Sequence, residues 1–128
     1  MSFQEDIFTA LSYDSGVTSI VGDRIFADVA DGTTAAPYLV YQVISTGGTT
    51  PQDGIRNLEF PTVQFSAWAN TKAQAIAIAS AVNELFDGKT QPGSSAIKLL
   101  FSDQSGVYES ETNLFGETLE FRGVCNRN

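Results

Sequence analysis

Three groupings in this chain carry residue types at spacings that chemistry could use. The first is Gly88-Lys89-Thr90 in "NELFDGKT", which has the ending of a phosphate-binding loop: a glycine, a lysine for phosphate oxygens and a hydroxyl for a metal ion. The full pattern needs another glycine five positions before Gly88, and Asn83 stands there. A phosphate loop also follows a strand and opens a helix, so that the positive helix end faces the anion. Here the triplet follows a helical stretch and meets its negative end, so a helix stop with Gly88 in the left-handed conformation accounts for the same residues. The second grouping is Asp103, Glu109 and Glu111 in "SDQSGVYESET". Paired carboxylates can hydrolyse glycosides or bind calcium, but the spacing is not that of an EF-hand loop and no aromatic-rich sugar platform accompanies it. Solvated acids on a loop account for them. The third is Tyr38, Tyr41 and Trp68, which could line a pocket, anchor a protein contact or pack beneath a covering helix. No cofactor or metal is implied by any of these.

The chain has no histidine, which removes the Ser/His/Asp and Cys/His triads, most zinc sites and the commonest general base near neutral pH. Acidic residues outnumber basic ones 15 to 7, for a formal net charge of −8. Proteins that grip nucleic acid through its phosphates need the opposite sign gathered on one face, so tight DNA binding is not expected, whereas a surface that DNA slides past is compatible with the charge. The lone cysteine, Cys125, cannot form an intrachain disulfide and reads as a small apolar residue in a last strand. "MSFQEDIFTAL" has acids where a secretory signal would have basic residues, and the apolar runs fall short of the ~20 residues that cross a bilayer. No membrane is expected, and the cytosol is the expected site of synthesis and use.

The elements that would position these residues follow from periodicity. "SFQEDIFTALSYDSG" predicts an N-terminal helix capped by Ser2, with Glu5 and Asp6 at the favourable end of the dipole and a stop near Gly16. A short turn of helix in "VTSIVGDRIF" precedes a brief strand around Arg24–Ala27. "PYLVYQVIS" and "FPTVQFSAWAN" are the firmest strands, the second with Val63, Phe65 and Ala67 alternating against Gln64, Ser66 and Trp68. Asn70 or Thr71 caps "KAQAIAIASAVNELFDG", an Ala-rich helix with Ile76, Ile78, Val82, Leu85 and Phe86 on a broad stripe and Gly88 at its end. "KTQPGSSA" reads as loop, and "IKLLFSD" and "ETLEFRGVCN" as strands separated by the polar segment "QSGVYESETNLFG".

This order has no βαβ rhythm. It predicts an α+β fold in one domain spanning 1–128: an antiparallel or mixed sheet of about four to five strands, with the N-terminal helix and the Ala-rich helix packed on one face. Between the two firmest strands lies "ISTGGTTPQDGIRNLEF", whose stretch 46–58 reads as an unstructured arm. Loops longer than ≈12–15 residues are uncommon and are usually functional or disordered. A mobile surface loop and an arm that orders against a partner both fit.

The order and spacing of several phrases resemble the tail-completion, or tail-to-head joining, proteins of long-tailed bacteriophages. The N-terminal helix runs into an "alt-lvGdRI"-like segment at Val17–Phe26, a "PY-VYQ" strand at Pro37–Gln42, and a "V-F--WA" strand leading into an "A-AIA-AV---L" helix at Val63–Leu85. The match covers most of residues 7–88, and 89–128 agrees only in general pattern. The resemblance implies a non-enzymatic virion protein, assembled in the host bacterial cytoplasm, that forms a ring of six copies at the head-proximal end of the tail tube. Its implied partners are other copies of itself, the tail tube protein and the head-tail connector protein, with genomic DNA passing through unbound. In such a ring Tyr38, Tyr41 and Trp68, together with Thr49, Gln52, Asp53 and Arg56 of the arm, are the candidate contacts. Two other readings remain: a head-side neck or connector component, and a small-ligand or carbohydrate-binding module or acid/base enzyme using the 103–111 carboxylates.

Overall fold

The computed structural model describes residues 3–30, 35–48, 58–93 and 95–126. Asp14 separates two helices that the sequence reads as one helix and a turn. Helix α1 (Phe3–Tyr13) ends three residues before Gly16, and the Asp14 carboxylate then accepts a 3.0 Å hydrogen bond from Val17 N–H to open α2 (Ser15–Val21). This is an N-cap satisfying one of the free amides of a first turn. Gly16 thus lies inside α2, and Gly22, at φ 62°, provides the stop instead.

Among the described residues there are six strands, β1 (Ile25–Ala27), β2 (Tyr38–Gly48), β3 (Leu58–Ala69), β4 (Lys89–Thr90), β5 (Lys98–Glu109) and β6 (Leu114–Asn126), in one sheet ordered β1-β2-β3-β6-β5-β4. Among these strand pairs β1/β2 is parallel and the others are antiparallel, so the sheet is mixed and the fold α+β. The expected four to five strands become six because "GKT" enters the sheet: Gly88, at φ 73°, turns the chain, its N–H donates to Leu99 O, and Lys89 and Thr90 pair with Leu99 and Lys98.

Alternation decides which face is covered. In β3, Pro61, Val63, Phe65, Ala67 and Ala69 are buried, and from β6 come Leu119, Phe121 and Cys125. Helix α3 (Lys72–Phe86), capped by Thr71, lays Ala75, Ile78, Ala79, Val82 and Phe86 on this face, and small alanines let its axis approach closely. Ile76, expected on that stripe, is exposed. At the centre Phe86 stacks on Phe65 with ring centroids 5.1 Å apart, and Phe121 meets both edge-on. Ile7 and Leu11 of α1, and Val17 and Val21 of α2, complete the same cluster. Helices α1, α2 and α3 therefore contribute to one cluster with the covered sheet face.

Two stretches expected to be irregular are strand. Residues 46–48 and 58 of the arm pair with neighbouring strands, Gly48 standing opposite Glu59, and 49–57 lie outside the described residues. "QSGVYE" continues β5 to Glu109, and β6 begins at Leu114, so the polar segment is a long β5–β6 hairpin.

Candidate assembly surface

The opposite face of the sheet carries none of these packed helices, and its side chains follow from register. Tyr38, Trp68, Gly116 and Val107 form one row across four strands, Val40, Ser66, Thr118 and Ser105 the next, and Gln42, Gln64, Glu120 and Asp103 a third. Beyond them stand Thr62, Arg122 and Leu100. The face is polar in its middle and apolar at its margins, where Phe60 is 43% exposed, Leu100 51% and Val107 48%.

Gly116 is required in the first row. A Cβ there would lie 2.9 Å from both Trp68 Cζ3 and Val107 Cγ1, so the indole and the valine close over the glycine backbone. A concavity of about 240 Å³ is lined by Tyr38, Val40, Trp68, Asp28 and Glu109, among others. Partial burial raises the Tyr38 phenol above its ordinary pKa, and the Glu109 carboxylate adds to the rise. The far end of β5 thus curls towards Tyr38. Tyr38 and Trp68 are therefore brought together on the open face, half-exposed. Tyr41 points the other way: it is 8% exposed, packs near Phe8 and belongs to the core. Thr49, Gln52, Asp53 and Arg56 lie outside the described residues.

The other groupings resolve into structure. Lys89 Nζ donates to Glu84 O, a carbonyl in the last turn of α3, placing a cation at the negative helix end. Asp103 and Glu109 lie on β5, with Glu109 accepting from Thr112 Oγ1, and Glu111 lies in the hairpin turn. Among the described residues, no three His, Cys, Asp or Glu side chains stand where they could hold a metal ion. Cys125 is buried, and burial with the Glu59 and Asp6 carboxylates nearby pushes its thiol pKa up to about 11.

The sequence reading missed the β5–β6 hairpin and two sheet edges. From Phe101 onward β5 is exposed, yet the hairpin is built: Tyr108 packs on Phe115 at 4.9 Å and its hydroxyl donates to Asn113 Oδ1. Where the hairpin meets the body, Glu117 is held by Lys72 Nζ at 3.2 Å and Gln104 Nε2 at 2.8 Å. Among the described residues, β1 pairs only with 39–41 of β2 and β4 only with 98–99 of β5, leaving 42–48 and 102–109 without a strand on their outer sides. The signal for the hairpin was the β-branched and aromatic content of "GVYE" and "TNLF" either side of a turn.

Residues 5–125 match the family described as tail completion protein gp17. A chain in the solved structure titled virion of native gene transfer agent (GTA) particle has a similar fold, with a TM-score of 0.77, 18% identity, and 98% of this chain and 96% of that chain covered. Among curated proteins, none matches.

Proposed function

The chain belongs to the tail completion protein gp17 family and is a structural tail protein, and from this we propose that it forms a six-copy ring that ends the tail tube at its head-proximal end and joins it to the head connector. The observation that carries this reading is a sheet face bare of helices, flanked by two edges that have no strand beside them over 42–48 and 102–109 among the described residues. A lone subunit leaves such edges as liabilities, and association satisfies them. The whole chain, 1–128, acts as the assembling domain. Tyr38 and Trp68, partly exposed on the open face, are contact candidates, and Thr49, Gln52, Asp53 and Arg56, which lie outside the described residues, are proposed as further contacts with a neighbour, the tube or the lumen. No catalytic step is assigned: the protein works in the virion by holding surfaces together, and genomic DNA passes without being bound.

Electron microscopy of a phage lysate lacking only this protein tests the reading. The expected result is full heads beside separate tails, some of abnormal length. Normal infectious particles would overturn it.

A further inference from the structure

We propose that copies of this chain join edge to edge, β5 of one copy adding to β1 of the next while β4 of the first adds to β2 of the second. This rests on the ring reading above and specifies how the ring closes.

The two edges of the sheet match in level. Each edge of the sheet has a short strand that projects and a longer stretch that is set back. On one side β1 projects, paired with Leu39–Tyr41, and Gln42–Gly48 of β2 are set back. On the other side β4 projects, paired with Lys98 and Leu99, and the outer side of β5 is set back over 102–109. Following register across the sheet, Phe26 is level with Val40, Ser66, Thr118 and Ser105. The projecting β1 therefore stands at the height of the middle of the opposite recess. Lys89 is level with Leu99 and Gly123, Pro61 lies beside Gly123, and Pro61 pairs with Thr46. The projecting β4 stands at the height of the other recess.

Strand directions agree as well. β2, β3, β6 and β5 alternate in direction and β1 is parallel to β2, so β5 runs antiparallel to β1. β4 is antiparallel to β5 and hence parallel to β2. A second copy placed beside the first with no axial rise thus meets it with Ser105 beside Phe26 in an antiparallel pair and Lys89 beside Thr46 in a parallel one. Absence of rise is the condition for a closed ring in place of a helical filament. Main-chain hydrogen bonds supply the contact, as in other strand additions. Val107, 48% exposed on the open face, lies two residues from Ser105 and would cover Phe26 of the next copy. The occupant is a second copy because projection and recess match in height on the two edges of one chain.

Disulfide trapping in assembled particles tests this. Particles are assembled with full-length variants as the sole source of the protein: Phe26→Cys with Ser105→Cys, Thr46→Cys with Lys89→Cys, each single substitution, and a level-shifted pair, Phe26→Cys with Leu100→Cys. Copies per tail are counted by cryo-electron microscopy. After oxidation, the two level pairs are expected to give a ladder of linked multimers ending at the copy number, with the singles and the shifted pair remaining monomeric. Phe26 touches Tyr38, so if that variant fails to melt like the parent, the Thr46/Lys89 pair decides. Several copies per tail with no ladder from the level pairs would overturn the edge contact and leave the ring standing. Dimers from Ser105→Cys alone would overturn it in favour of two β5 edges meeting. One copy per tail would overturn ring and edge together.

Discussion

Asp6 is an acid in the first turn of α1, where the helix dipole alone would account for it, yet its side chain is buried. It accepts hydrogen bonds from both Ser95 N–H and Ser95 Oγ, tying the N-terminal helix to the loop before β5. Gly93 passes so close that any Cβ would collide with the Asp6 carboxylate, and its φ of 135° disfavours a side chain as well. Replacing a buried acceptor leaves its donors unsatisfied. Asp6→Ala should therefore cost about 2–3 kcal/mol in urea unfolding, while Gln4→Ala, an exposed neighbour on the same turn, should cost far less. Cys125 gives a second prediction. Its thiol is raised from 9.0 to about 11 in the folded chain, so between those pH values the unfolded chain loses the proton first and stability falls as pH rises. Melting temperature measured from pH 8 to 11 should fall less steeply for Cys125→Ala than for the parent, whatever the offset between them at pH 8. Reaction with thiol reagents should wait for unfolding, because burial both shields the sulfur and keeps it protonated.

At the scale of elements, the row Tyr38, Trp68, Gly116 and Val107 ties β2 to β5 through the open face. Gly116→Val should push Trp68 off the sheet and shift emission of the chain's only tryptophan to longer wavelength, with the far-ultraviolet dichroism retained. Phe86→Ala, which removes a ring from the Phe65–Phe86–Phe121 cluster, should cost about 3–5 kcal/mol. These two differ in how legible they were. β3 and α3 could be read from the sequence because each buries one face and leaves the other wet: Val63, Phe65 and Ala67 alternate, Thr71 caps, and Gly88 turns. The fold class, the Thr71 cap and the Gly88 stop all follow from such signals. The β5–β6 hairpin could not be read the same way, since most of β5 is exposed on both faces and pattern fails where there is no inside and outside. Thr46, Gly47 and Gly48 hid for the same reason, being strand residues whose order comes from pairing with β3. Gly16 misled because Asp14 ends one helix while capping the next. Trp68 and Tyr38 could be singled out by type, and alternation sets Tyr41 on the opposite face from Tyr38, but only the register shows that Tyr38 and Trp68 share a row.

For the whole molecule, two of the acids behind the net charge of −8, Asp103 and Glu120, stand directly opposite each other on the open face. Like charges across an antiparallel pair are destabilising, by roughly 0.2–1 kcal/mol. Asp103→Asn should therefore stabilise the isolated subunit by about that amount in urea unfolding. A pair that weakens the subunit is better explained by what the face meets after assembly. If that face lines the passage for DNA in the proposed ring, its fixed negative charge keeps phosphates from lodging, and reversing it should create a sticking point. The test is the double variant Asp103→Lys with Glu120→Lys, used only if it melts close to the parent. Particles carrying it should release DNA more slowly than the parent in low salt, with the gap closing as salt rises, because lysine–phosphate contacts weaken through counterion competition. Release is followed by the fluorescence of a DNA-binding dye after receptor triggering. Equal rates at every salt concentration would place the DNA path away from this face, and the Asp103–Glu120 pair would then need another partner to explain it.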